Sequence, residues 1–204
     1  MPERLRVLVL ESERGAADTA ITELHDAGHE VLRCHEPGDP AFPCKALTDD
    51  GCPVRTAPID VALTVRSRPR SQPAPHEDGV TCALERHIPL VVAGSAVLDP
   101  FTDCATEVVE RSGAVVQACR RAASAPLARH GEAAREAVAT VLALHGVEAE
   151  AHVTVHRRFG GLHVVVDGVA PLDHSVKGMA SVRAISALRK LDRDARGIDV
   201  SFVD

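Results

Sequence analysis

Residues 4–33 read RLRVLVLESERGAADTAITELHDAGHEVLR. The run at 6–10 is apolar and too short for a helix, so it predicts a buried strand. Residues 15–24 place Ala16, Ala17, Ala20, Ile21 and Leu24 at helical spacing, and Gly28 offers a stop. Residues 30–33 resume as a strand. Strand, helix and strand within thirty residues predict a βαβ unit and a parallel sheet.

Further along, residues 60–65 (DVALTV) and 89–93 (PLVVA) predict two more strands, with a short helix at 79–87 between them. The expected order is 2-1-3-4, as in flavodoxin-like folds. A helix is expected at 102–111, and residues 114–124 lean to helix. Residues 132–145 form a clear helix closed by Gly146. Then come strands at 151–156 and 162–167 around Gly160-Gly161, a helix at 175–191, and a strand at 198–203. The expected fold is therefore an α/β, flavodoxin-like parallel-sheet domain over 1–127. A small α+β (α-β-β-α-β) module over 128–204 follows it.

Composition narrows the function. The chain has 204 residues and a formal net charge of −6, and only 2% of its residues are aromatic. A nucleic-acid binder would normally show a basic face, so none is expected as partner. No apolar run reaches the roughly 18 residues that span a membrane. The opening Met1-Pro2-Glu3-Arg4 does not read as a signal peptide, so a cytoplasmic protein is expected.

The cysteines carry the strongest chemical signal. They are Cys34, Cys44, Cys52, Cys82, Cys104 and Cys119, spaced C-x9-C-x7-C-x29-C-x21-C-x14-C, and all precede residue 120. Lacking a C-x2-C pair, they are no zinc ribbon. Disulfides are disfavoured in a reducing compartment, so clustered cysteines point to metal or catalysis. Ligands of open parallel sheets sit beyond the carboxyl ends of the strands. Cys34 ends the second strand, and Cys44 and Cys52 lie on the Pro- and Gly-rich loop of residues 35–58. Cys82 is expected early in the helix after strand three, and Cys104 in the first turn of the helix after strand four. All five are expected on one edge, with helix dipoles favouring thiolate at Cys82 and Cys104.

Cys34, Cys44, Cys52 and Cys82 are the candidate metal ligands, with His35 and His76 as substitutes. An iron–sulfur cluster is the first candidate occupant, since long irregular spacings suit cluster loops; zinc is the alternative. Two other readings stand beside it: a reversible disulfide, and thiols packed as small hydrophobes, the latter best suited to Cys119. As an enzyme, the protein would use a three-Cys cluster with an open iron site, its cleft lined by Glu11, Glu13, Arg66 and Arg68. The non-enzymatic, metal- or redox-responsive reading leads, and a metal-free adaptor is the third.

Residues 4–95 resemble the receiver domains of response regulators in strand order and length. That resemblance implies a phospho-accepting Asp at the end of strand three and an acidic pair after strand one. Neither is present: Arg66 follows DVALTV, and Ser12 separates Glu11 from Glu13. Aspartyl phosphorylation is therefore not expected. Dinucleotide and P-loop motifs are also missing from the first turn.

In the tail, His152, Thr154 and His156 share one strand face and His163 lies on the paired strand; a solvated polar face is expected. Asp173 or Ser175 should cap the following helix. Its apolar residues Val176, Met179, Val182, Ile185, Leu188 and Leu191 drift around the helix and leave surface for a partner. The layout is similar to the cytoplasmic domain of cation-efflux transporters. A homodimer or a protein partner is expected through this module. A mobile, Pro-rich loop is expected at residues 67–77.

Overall fold

A computed structural model describes residues 4–36, 38–48, 51–95, 97–110, 112–158, 161–169, 171–193 and 195–203. The chain divides into two compact units, Met1–Ala125 and Pro126–Asp204.

The first unit is a five-stranded, all-parallel sheet with helices on both faces. Its strands are β1 (Arg6–Glu11), β2 (Glu30–Arg33), β3 (Val61–Arg66), β4 (Leu90–Gly94) and β5 (Glu107–Val109). They lie in the order β2-β1-β3-β4-β5. The helices are α1 (Asp18–Asp26), two single turns α2 (Lys45–Thr48) and α3 (Pro53–Thr56), α4 (Gly79–Glu85) and α5 (Val115–Ser124).

Alternation along each strand sorts the side chains into two cores. Val7 and Val9, with Val61, Leu63, Val91 and Ala93, meet Ala17, Ala20 and Leu24 of the α1 region and Val115, Ala118 and Cys119 of α5. Leu8, Leu10, Ala62, Leu90 and Val92 meet Cys34, Cys52, Val54, Val80 and Ala83 on the other face. With both faces covered, the strands read as continuous apolar runs, as parallel strands do. α1 ends as the glycine signal requires, since Gly28 adopts φ +81°, where an L-residue is strained.

One expected element is corrected. Residues 102–110 are not a helix, and residue 111 of that expectation lies outside the described residues. Residues 102–104 form a single 3₁₀ turn, and Glu107–Val109 is the fifth strand, paired parallel to β4. Three β-branched residues within four positions, Thr106, Val108 and Val109, favour an edge strand over a helix. The correction moves Cys104. The Thr106 N–H donates to the Leu90 carbonyl, which belongs to the start of β4. Cys104 therefore lies toward the amino edge of the sheet, opposite the end of β2 where Cys34 sits.

The second unit holds α6 (Ala128–Leu144), β6 (His152–Arg158), β7 (Gly161–Asp167), α7 (His174–Leu191) and β8 (Ile198–Phe202). β6 and β7 are antiparallel, and β8 joins β7 in parallel. Val153, Val155, Leu162, Val164 and Val166 pack with Ala134, Val138, Val141 and Leu142 of α6 and Val176, Ala180, Ala184 and Leu188 of α7. The buried stripe of α7 thus runs at four-residue spacing through two alanines. Met179 and Val182 stay 42% and 63% exposed. Asp173 flanks α7 but caps it with no side-chain hydrogen bond, contrary to expectation. The buried Arg157 guanidinium pairs with the buried Asp192 carboxylate within this unit.

Candidate functional site

Four of the six thiols gather on the α4 face of the first sheet. Cys34 leaves the end of β2 directly into the apolar layer. Cys52 precedes Pro53 at the start of α3, and its carbonyl accepts the Thr56 hydroxyl at 2.9 Å. Both thiols are buried in the same cluster, with Leu10, Val54 and Val80. Gly79 lets α4 approach them: a Cβ there would stand 2.8 Å from Cys34 Sγ and 2.6 Å from Leu10 Cδ2. Cys82 follows one turn later on α4 and is exposed, while Cys44 on the 35–58 loop is half-buried.

Their electrostatics tie the four together. Burial pushes the Cys34 thiol up to about 12, and Cys52, Cys44 and Cys82 push the same way against Lys45. Partial desolvation raises Cys82 as well, although it lies at the surface, followed by the charges of Cys44, Cys52 and Glu85. The helix-dipole expectation at Cys82 is therefore corrected: desolvation and neighbouring thiols outweigh any gain from the start of α4. At neutral pH Cys34 and Cys82 are protonated thiols. Among the described residues, no three His, Cys, Asp or Glu side chains already converge on a point that could hold a metal ion.

Cys104 and Cys119 stand apart. Cys104 is exposed on its 3₁₀ turn. Cys119 is fully buried on the α1–α5 face, where burial alone pushes it up to about 12. It is a packed hydrophobe. A raised thiol pKa favours the fold below pH 9 and the advantage is lost as pH climbs toward 12. Titrating Cys119 fully would cost about 4 kcal/mol, at about 1.4 kcal/mol per unit. The chain has no Tyr to mask this. Urea midpoints should fall from pH 8 to pH 10.5, and Cys119→Ala should make that fall shallower, the similarly raised Cys34 supplying the rest; an equally steep fall in the variant would contradict the assignment.

A narrow cleft opens beside Cys34, between the carboxyl ends of β1 and β2. Glu11, Arg14, His35, Glu36, Asp39 and His76 line it, and it has room for about 20 Å³, one water molecule. The His35 and His76 rings meet edge to face, 5.6 Å between centroids. Burial and then the His76 charge lower the pKa of His35. Glu11 is committed locally, accepting the N–H groups of Gly15 and Ala17 at 3.0 and 3.3 Å.

Arg66, expected in an enzyme cleft, is instead a fully buried structural cation. Its Nε and Nη2 donate to Glu77 at 2.8 and 2.5 Å, and Asp99 Oδ2 lies 3.3 Å from Nε. Nη1 and Nη2 also hold the carbonyls of Arg70 and Gln72 at 2.6 and 3.2 Å. Glu77 accepts Thr64 Oγ1 and the Ala74 N–H as well, both at 2.8 Å. Burial pulls the Arg66 pKa down, but Glu77, Asp99 and Glu13 more than offset it. The 67–77 segment expected to be mobile is thus tied down at Arg70, Gln72 and Ala74. The sequence signal was an arginine ending an apolar strand; its partners lie eleven and thirty-three residues on.

No protein-family model and no curated protein matches the chain. Among the described residues, no helix is long and apolar enough to cross a membrane.

Proposed function

We propose that the first unit is a thiol-based, metal-responsive module in which Cys34, Cys44, Cys52 and Cys82 bind an iron–sulfur cluster or a zinc ion. The observation that carries this reading is the gathering of these four on one sheet face, while Cys104 and Cys119 lie elsewhere. Four thiolates are the donor set that both zinc and iron–sulfur clusters take. Ligation draws the 35–58 loop, carrying Cys44 and Cys52, toward Cys34 and Cys82. Loss of the ligand, or oxidation of the thiols, releases that loop and changes the surface it presents.

The catalytic alternative has less support. Small-molecule sites usually offer roughly 300–1,000 Å³, far above the cleft beside Cys34. Arg66 and Glu11 already have structural partners.

Single alanine variants test the ligand set. Cys44→Ala, at a half-buried loop position, should lose bound metal while the fold persists. Cys104→Ala should keep the wild-type stoichiometry. Elemental analysis of the anaerobically purified variants reads both. Stoichiometric metal in Cys44→Ala, or its loss in Cys104→Ala, would overturn the assignment.

A further inference from the structure

The second unit uses one face of its sheet and leaves the other open. Both helices pack on the face of Val153, Val155, Leu162, Val164 and Val166. Alternation puts His152, Thr154 and His156 of β6, His163, Val165 and Asp167 of β7, and Asp199 and Ser201 of β8 on the opposite face. The register aligns them in rows: His152 beside Asp167, Thr154 beside Val165 and Ser201, and His156 beside His163 and Asp199. No described element of this unit covers them. Val165, the one large apolar side chain among them, sits on the central strand between two hydroxyl residues.

We propose that this open face is the contact surface between two copies of the chain, packed face to face with β7 antiparallel over β7 and Val165 at the two-fold axis. Charge complementarity selects the second copy as occupant. A two-fold axis between the sheets and across the strands sets residue 165 on 165 and 163 on 167. His163 then meets Asp167 of the second copy, and Asp167 meets His163 of the second copy. An isologous contact makes each such pair twice. Within its own chain His163 Nδ1 is held by Asp199 at 3.0 Å, which orients the ring and leaves Nε2 to face across. The same axis sets Thr154 on Thr154 and Ser201 on Ser201, hydroxyls that donate and accept alike. His152 falls over His156 of the second copy, with no like-signed carboxylates opposed. The alternative axis, along the strands, would set His156 over Asp199 of the second copy but also Asp167 on Asp167 and His163 on His163, and those opposed like groups disfavour it.

A three-stranded face is smaller than the roughly 800 Å² per partner of a standard interface, so the dimer should be weak and concentration-dependent. The proposal is independent of the thiol site. Sedimentation velocity of the full chain from about 1 to 200 µM reads it. The wild type should shift from monomer to dimer across that range. His163→Asp, which sets carboxylates against carboxylates, should weaken the dimer at least ten-fold. Adding Asp167→His to it should restore the pairing with the charges exchanged; the rescue also shows that both variants fold. A wild type that stays monomeric at the highest concentration would overturn the proposal. So would a dimer untouched by His163→Asp, or one broken instead by Val182→Glu on α7.

Discussion

Arg66→Met is expected to destabilise the first unit by about 3–5 kcal/mol, the usual cost of removing one partner from a buried ion pair. The wild-type cluster sets one guanidinium against the Glu77 and Asp99 carboxylates, and all three side chains are shut off from water. Without Arg66, two buried carboxylates lose their counter-ion. The carbonyls of Arg70 and Gln72 lose their donor as well. Methionine fills most of the volume, so the loss isolates the charge and hydrogen bonds from packing. Glu77→Gln should cost less, since Asp99 still faces the guanidinium and the one amide oxygen still accepts the Ala74 N–H. Urea unfolding followed by circular dichroism measures both. A change below about 1 kcal/mol in Arg66→Met would place the pair among the ion pairs that contribute little.

Metal binding should be the second large effect. A ligand bound to the native state alone stabilises it by RT ln(1 + [L]/Kd), about 3–4 kcal/mol at a hundred- to a thousand-fold excess over Kd. For a unit of this size that is a rise in Tm on the order of 10 °C. Because Cys34 and Cys82 are protonated at neutral pH, loading must release protons, and affinity should climb with pH. Adding zinc to the reduced apoprotein in weak buffer should acidify the solution and raise Tm together. Zinc that leaves both pH and Tm unmoved would contradict a thiolate site.

The sheet and most of its helices were legible because their signals are local. The apolar runs at β1, β3 and β4, the stop at Gly28 and the strand at 30–33 need no distant partner to be read. β5 was missed for the converse reason. Three residues carry too little periodicity, and only pairing with β4 makes them a strand. That error placed Cys104 on the wrong edge. The clustering of Cys34, Cys44, Cys52 and Cys82 followed from topology, since chains leaving a parallel sheet's carboxyl edge meet there. Burial did not follow from it. Nothing in the sequence says that Cys34 and Cys52 sink into the apolar layer while Cys82 stays on the surface, where partial desolvation and the neighbouring Cys44 and Cys52 still reverse the expected shift. The Arg66 cluster was likewise invisible as structure, because a charged residue ending a strand reads as a functional group until its partners are placed.

The most direct measurement is the metal content of the full chain purified without oxygen, with iron, zinc and acid-labile sulfide determined beside the visible spectrum. The expected result is either a brown protein with matched iron and sulfide and a broad band near about 400 nm, or a colourless one with a single equivalent of zinc. A colourless protein that holds neither metal, and takes up neither when reduced and supplied with iron, sulfide or zinc, would contradict the account.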